Sequence, residues 1–252
     1  RLRQQQLRAN GIRQRTPKYE FGTAVHAAVL EPQRFKQTYL THPGNKAKST
    51  KSFKEFELAN PGKRVLMLRE LNDIIGCANS LRSATVIRTH SAAFTMADLV
   101  DLGTPERNYY WLDAQTGLTC KARMDLTIEN IVIDVKTAPD ARGERFKWDA
   151  AKFGYHIQAA FYMEGFAQFQ PEGKEIIMTF LVGEKLSPYG SVVYQADKDT
   201  FWAFGKRRVR ELLAQYQRCL QAQSWPGYAQ GPQLLKLPLN KLYADPKYNL
   251  PY

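Results

Sequence analysis

Cysteine and histidine are both scarce in this chain, which has three cysteines and four histidines among 252 residues. Cys77, Cys120 and Cys219 lie far apart and include no Cys-x-x-Cys pair, which excludes a zinc ribbon or an iron–sulfur cluster built from four cysteines. No signal peptide precedes them, so an odd number of thiols fits a reducing compartment and we expect a cytoplasmic protein. No apolar run is long enough to span a bilayer, so we expect no membrane partner. Because the chain begins at Arg1 without Met, we also expect it to be part of a longer protein.

Acidic residues are fewer than basic ones, 24 against 36, which gives a formal net charge of +12 and a pI near 9.6. The excess is clustered: Arg1–Glu20 holds six basic residues against one acid, and Arg34–Arg69 holds nine against two. Such clusters are typical of proteins that bind a polyanion, although basic stretches are also common on surfaces that bind nothing. The charge therefore favours nucleic acid as the partner.

Alternating polar and apolar residues over positions 118–137 predict a β-hairpin with a two-residue turn at Glu129-Asn130. We expect one face of this hairpin to pack on the core. That face would hold Leu118, Cys120, Ala122, Met124, Leu126, Ile128, Ile131, Ile133 and Val135. The opposite face would hold Thr119, Lys121, Arg123, Asp125, Thr127, Val132, Asp134 and Lys136.

The predicted register brings two carboxylates together. If Ile128 pairs with Ile131, the same antiparallel register pairs Asp125 with Asp134. Opposed side chains lie about 5 Å apart at Cβ, where two carboxylates repel by roughly 3 kcal/mol at an effective dielectric near 20. A divalent cation would relieve that repulsion, and Lys136, one pleat further along, could then orient a water or stabilise a phosphate.

The charged side chains of the hairpin allow two further interpretations. On an ordinary solvated face, Asp125 would form an ion pair with Lys136, and Arg123 one with Asp134. If positions 114–117 form a loop, the same counting places Glu106 opposite Asp125 as a third carboxylate.

The order of elements predicts the fold class. We expect an α/β (α+β) protein of 1–252 as a single domain: a mostly helical part at 1–100 with a basic flap near 41–54, a core at 104–222 and a C-terminal tail at 223–252. Helices are expected from Pro17 to Leu30 and over 66–89. A loop is expected up to Trp148, followed by a helix that carries Gln158 and Tyr162.

The spacing Asp125-x8-Asp134-x-Lys136 resembles the PD-(D/E)xK nucleases, although Met124 replaces the usual proline. Gly22-x3-His26 upstream and Gln158-x3-Tyr162 downstream are similar to motifs of the RecB-like branch of that superfamily. More specifically, stretches around Trp111, Cys120, Asp134 and Gly154 resemble the C-terminal nuclease domain of the exonuclease VIII (RecE) family, over roughly residues 20–230. The resemblance implies a restriction-endonuclease-like core, with a central mixed sheet flanked by helices and helical N-terminal additions.

The resemblance also implies an activity and a site. It implies a Mg²⁺- or Mn²⁺-dependent exonuclease, with one or two ions per site, that degrades linear double-stranded DNA from its 5′ end. It further implies a ring-shaped homo-oligomer, a RecT-like single-strand annealing recombinase as partner and a phage or prophage origin. The implied metal ligands are Asp125, Asp134, the Val135 carbonyl and His26. The implied catalytic residues are Lys136, Gln158, Tyr162 and Glu106, where Glu106 would bind a second metal. The implied DNA contacts are Tyr155, Arg123 and Lys121.

Other functions fit the same residues. A different RecB-like enzyme, such as a repair or flap endonuclease, would use the same site on another DNA. A catalytically silent DNA-end-binding module would keep the fold without the chemistry. Single residues also have structural alternatives: His26 as an ordinary hydrogen-bonded histidine, and Tyr155 and Tyr162 as core aromatics.

Overall fold

The computed structural model describes residues 17–44, 47–227, 231–232 and 234–235. Contacts divide the described residues into two compact units, one up to Leu213 and one from Ala214 onward. The prediction of one domain over 1–252 stays a prediction. The basic stretch at 1–16, two residues of the predicted flap and most of the predicted tail lie outside the described residues. No helix among the described residues combines the length and apolarity that a membrane span requires.

In chain order, the helices are α1 (Pro17–Leu30), α2 (Pro32–Thr38), α3 (Lys51–Ala59), α4 (Leu68–Ser83), α5 (Met96–Leu102), α6 (Gly143–Phe153), α7 (Tyr155–Ala167) and α8 (Ala203–Ala222). The strands are β1 (Tyr39–Thr41), β2 (Arg64–Leu66), β3 (Thr85–Arg88), β4 (Ala93–Thr95), β5 (Thr104–Leu112), β6 (Thr119–Ile128), β7 (Ile131–Ala138), β8 (Ile177–Glu184) and β9 (Ser191–Gln195). A π-helical turn, Lys198–Trp202, leads into α8.

The central sheet has the strand order β5-β6-β7-β8-β9. The pair β7–β8 is parallel and the other pairs are antiparallel, so the sheet is mixed, as predicted. Helices cover both faces: α1, α4 and α5 contribute to one core cluster, and α6 and α7 to the other. The predicted α/β core with a mixed sheet flanked by helices is therefore confirmed.

The prediction of which hairpin residues share a face is wrong beyond Asp125. Met124 packs in the cluster under α6 and α7, whereas Leu126, only two residues later, packs in the cluster under α1 and α4. The register between β5 and β6 does not change at Asp125. However, Glu106 on β5, which lies opposite Asp125, has a positive φ of 52°. The alternation of β6 therefore breaks at Asp125. Because helices cover both faces, Val132 is buried as fully as Ile133, and burial alone does not mark one face as core.

Two expected elements differ in the structure. The helix expected over 66–89 is shorter, because β2 precedes α4 and β3 follows it. The run Thr85-Val86-Ile87 is β-branched and favours a strand. The loop expected up to Trp148 is largely α6, which buries Phe146 and Ala150, four residues apart on one side, and leaves its other positions polar or exposed.

Candidate active site

The site lies where β6 and β7 separate. Their ladder pairs Ile128 with Ile131 and Leu126 with Ile133, which is the predicted register. In an antiparallel ladder with this register, Met124 and Val135 would form the next hydrogen-bonded pair. Instead, the backbone N–H of Val135 donates to Oδ2 of Asp125 at 2.7 Å. The Asp125 side chain thus takes a backbone donor that the strand ladder would have used, and this fixes the carboxylate at the opening.

Glu106 reaches the same place from β5. The pairs Pro105–Leu126 and Arg107–Met124 flank it, so Glu106 lies opposite Asp125, as counting from the turn at 114–117 predicts. The left-handed backbone at Glu106 is uncommon for a residue with a side chain and interrupts the regular pairing. Such strain is often kept where a side chain must be aimed at a functional position.

His26, Glu106 and Asp125 form a group that we call the cation side of the site. One ligand atom from each lies within 4.8 Å of the other two, and His26 Nδ1 is 3.4 Å from Asp125 Oδ2. The helix α1 carries His26 over the sheet, since a side-chain carbon at Gly22, one turn earlier, would be 3.6 Å from Oγ1 of Thr137 on β7. The consecutive strands β5 and β6 and the distant helix α1 therefore supply two oxygens and one nitrogen to one point.

Electrostatics on the cation side reflect crowding of charge. Burial would lower the pKa of His26, but the Asp125 carboxylate outweighs it and the net pKa is raised. Burial acts to raise the pKa of Asp125, and His26 with the Val135 N–H reverses this to a lowered pKa. Burial and then Asp125 raise the pKa of Glu106. Oε2 of Glu106 is 2.8 Å from Nε of Arg123, yet within the described residues this buried oxygen accepts no aligned hydrogen bond.

Asp134, Lys136 and Gln158 form the other half, which we call the lysine side. Asp134 Oδ2 accepts from Lys136 Nζ, and Asp134 Oδ1 accepts from Gln158 Nε2 at 2.7 Å. Lys136 Nζ also donates to Gln158 Oε1 at 2.9 Å, which closes a three-residue ring of hydrogen bonds. The Asp134 side chain is 2% exposed, and burial raises its pKa to about 6, more than Lys136 lowers it.

The two tyrosines predicted at the site support it in different ways. The Tyr155 ring lies beside Lys136, with Nζ 4.5 Å from its centroid. The Tyr162 hydroxyl donates to the backbone carbonyl of Arg123 on β6 at 3.2 Å, and so ties α7 to the strand that carries Asp125. Burial raises the pKa of each tyrosine to about 12, so both hydroxyls stay protonated at neutral pH.

The two predicted basic DNA contacts lie on the exposed part of β6. The Arg123 side chain is 57% exposed and is held at the rim of the cation side by Glu106. Lys121 is exposed two residues further from the site, with Nζ 5.2 Å from the centroid of the Tyr110 ring.

The structure thus brings nearly all the predicted site residues together but divides them differently. Glu106 joins His26 and Asp125, while Asp134 lies outside that donor group and bonds to Lys136 and Gln158. Val135 contacts Asp125 through its backbone N–H. The role of the Val135 carbonyl as a metal ligand stays a prediction. Sequence reasoning did not single out Phe153, whose ring adjoins Tyr155. Phe146, Ala150 and Phe153 have the helical spacing i, i+4 and i+7, which is the signal that could have identified this segment.

The cation side fits a hard divalent cation. Two carboxylates and one imidazole form a donor set rich in oxygen, which suits Mg²⁺ or Mn²⁺ better than a thiophilic metal. The buried Oε2 of Glu106 accepts no aligned hydrogen bond among the described residues and lies beside the exposed Arg123 guanidinium, which a bound metal cation would replace.

Comparisons with known proteins bear on the fold. The family described as "PDDEXK-like domain of unknown function (DUF3799)" matches residues 3–238. A crystal structure described as a "putative exonuclease" from Eubacterium rectale is similar, with a TM-score of 0.53 and 14% sequence identity over 95% of this chain and 84% of that chain. At that identity, the similarity concerns the fold alone. A search among curated proteins found no match.

Proposed function

The chain belongs to the PDDEXK-like domain family of unknown function (DUF3799), and from that premise we propose that it is a divalent-metal-dependent nuclease. The observation that carries the proposal is the cation side, where His26, Glu106 and Asp125 offer ligand atoms within 4.8 Å of one another. A lysine follows on the next strand, held by Asp134 and Gln158. Cation ligands and a positioned ammonium can both stabilise the negative charge that develops during phosphodiester hydrolysis.

His26, Glu106 and Asp125 would hold Mg²⁺ or Mn²⁺, one or two ions in all, and we keep Asp134 and the Val135 carbonyl as further ligands from the motif. When bound, the metal supplies a coordinated water of lowered pKa and positive charge for the phosphate.

The chain's own residues then orient the reactants. Lys136 Nζ has two oxygen partners, Asp134 and Gln158, and a ring face, Tyr155, that limit its position. From there it would orient the attacking water or stabilise charge that develops on the phosphate. Gln158 fixes the lysine and the Asp134 carboxylate at once, and Tyr162 fixes the β6 backbone. A site preassembled in this way has little reorganisation left to do during the reaction.

The proposed substrate is linear double-stranded DNA. A net charge of +12 favours a polyanion, and Arg123 and Lys121 expose cationic groups along β6 from the rim of the cation side. These two residues and Tyr155 are the proposed DNA contacts. Affinity should therefore fall steeply as salt rises.

The finer proposal is a 5′-to-3′ exonuclease that leaves 3′ single-stranded overhangs for a RecT-like annealing recombinase, acting as a ring-shaped homo-oligomer. The resemblance of its motifs to the exonuclease VIII (RecE) family supports this. The E. rectale protein described as a "putative exonuclease" is consistent with it through the shared fold. The alternatives are a RecB-like repair or flap endonuclease and a silent DNA-end-binding module.

The deciding experiment uses linear duplex DNA labelled at either terminus, with Mg²⁺, with Mn²⁺ or with chelator. We expect metal-dependent, progressive loss of the 5′ label and no attack on covalently closed plasmid. Asp125→Ala, Asp134→Ala and Lys136→Ala should each abolish degradation in folded protein. Normal digestion by all three variants would refute the site.

The other outcomes identify the alternatives. Cutting of closed plasmid or of flap junctions would indicate an endonuclease. Salt-sensitive binding without product in either metal would indicate the silent module. Loss of the 3′ label first would overturn the proposed direction alone.

A further inference from the structure

A line of aromatic rings leads from the catalytic lysine to the protein surface. Lys136 Nζ lies 4.5 Å from the centroid of the Tyr155 ring, and the Tyr155 ring lies 5.9 Å from that of Phe153 at an interplanar angle of 32°. Phe153 is 60% exposed. A large apolar ring is thus left in solvent one ring away from the residue that would act on the phosphate.

The backbone holds Phe153 in this position. Gly154 joins α6 to α7 in the left-handed region, with φ 71° and ψ 33°. A residue with a side chain would be strained there, and its Cβ would lie 3.3 Å from Cδ1 of Ile157. Because the turn is built for glycine, the rings on either side of it, Phe153 and Tyr155, are fixed next to each other.

Resting on the proposed function, we propose that Phe153 is a stacking platform for the nucleobase next to the phosphate that is cut. Aromatic side chains bind single-stranded nucleic acid through their ring faces, and every base offers such a face. Lys152 adds a cation, with Nζ 5.6 Å from the Phe153 centroid, that suits the flanking phosphate.

The chemistry of the exposed ring favours a base as the group that contacts it. The Phe153 ring offers a phosphate neither a hydrogen-bond donor nor a charge, whereas the face of a base can lie against it. The cations that suit phosphates lie beside the two rings, with Lys152 next to Phe153 and Lys136 next to Tyr155. A strand whose base lies on Phe153 would therefore place its next phosphate beside Lys136.

The same helix offers a matched control. Trp148 is 68% exposed and has its own lysine, Lys147, with Nζ 5.9 Å from a ring centroid, but it is about 140° away around α6. No ring contact joins Trp148 to Tyr155 among the described residues. General loss of exposed aromatic surface would affect both residues alike, whereas a stacking site would involve Phe153 alone.

The test combines kinetics with a base-stacking signal. Phe153→Ala should raise KM for linear duplex about tenfold, with a smaller change in kcat, Phe153→Trp should restore it, and Phe153→Leu should not. Trp148→Ala should leave KM within about twofold of the unmodified chain. In an Asp125→Asn background, which blocks cleavage, 2-aminopurine at the terminal nucleotide should be quenched on binding, and Phe153→Ala should remove that quenching.

The outcomes separate the two proposals. If the unmodified chain cuts DNA and Phe153→Ala changes neither KM nor quenching, the stacking site is overturned and the nuclease stands. Full rescue by Phe153→Leu would also overturn stacking, since leucine is apolar without a ring. If the unmodified chain cuts no DNA with Mg²⁺ or Mn²⁺, the proposed function fails, and the stacking site fails with it.

Discussion

The two halves of the site differ in how their charges are balanced. On the lysine side, the Asp134 carboxylate has a partner on each oxygen and is nearly inaccessible to solvent. On the cation side, two carboxylates share His26 and an exposed arginine, and one buried Glu106 oxygen has no aligned donor among the described residues. A half whose partners are buried can position a lysine, whereas a half whose carboxylates are paired with an exposed arginine and a histidine can exchange those partners for a metal cation.

The largest effect should come from the cation side. Asp125→Asn removes one negative ligand and weakens the group that holds the metal, so we expect cleavage to fall about 10³-fold or more. Mn²⁺ should raise the melting temperature of the unmodified chain and not that of the variant, because a ligand stabilises only a protein that binds it. Asp140→Asn, which alters a carboxylate paired with Arg142 outside the donor set, is the control and should keep both properties. A normal Mn²⁺ shift in Asp125→Asn would contradict the assignment.

A large effect on stability should come from the lysine side. Lys136→Met leaves the Asp134 carboxylate buried without its cation, which should lower the free energy of unfolding by about 3 kcal/mol. Adding Asp134→Asn should recover much of that loss while cleavage stays absent. Chemical denaturation measures both. If the single and double variants are equally destabilised, the pair does not balance charge as described. Arg142→Met, which breaks an exposed ion pair, is the comparison and should cost less than about 1 kcal/mol.

A smaller effect should follow from loosening the link between α7 and β6. Tyr162→Phe removes the hydrogen bond to the Arg123 carbonyl, which is worth about 1 kcal/mol, so kcat should fall by less than about tenfold. Tyr194→Phe removes a comparable bond, to the Ala141 carbonyl, and should leave kcat unchanged. A 10³-fold loss in Tyr162→Phe would instead indicate that the hydroxyl acts directly on the substrate.

The smallest effect distinguishes two roles of Arg123. Its exposed guanidinium competes with a metal for Glu106, so Arg123→Ala should strengthen Mn²⁺ binding a few-fold and change stability by less than about 1 kcal/mol. The same change should weaken DNA binding and reduce its salt dependence by about one phosphate contact. Calorimetry with Mn²⁺ and binding titrations at two salt concentrations measure these effects. Weaker binding of both ligands would contradict the competition.

Two turns and one helix end were predicted correctly from residues close in sequence, whereas the helix over 66–89 and the loop up to Trp148 were not. The turn at Glu129-Asn130 and the loop at 114–117 set the register of three strands by counting, and the structure has that register. The end of α1 at Leu30 was also predicted, because Pro32 cannot continue a helix and begins α2 instead. Gln158 and Tyr162 lie four residues apart on one helix, as their spacing requires.

What the sequence by itself determined is local: turns, register, periodicity and which side chains share a strand or a helix. Only the tertiary structure decided which charges meet, because α1 brings His26 from a hundred residues away in sequence and the break in alternation at Asp125 puts Met124 and Leu126 in different core clusters. The tertiary structure also decided that Glu106 and Asp125 lie on the cation side and Asp134 on the lysine side. Burial fixes which partners a charge can reach, and burial is a property of packed elements that no single stretch of sequence contains.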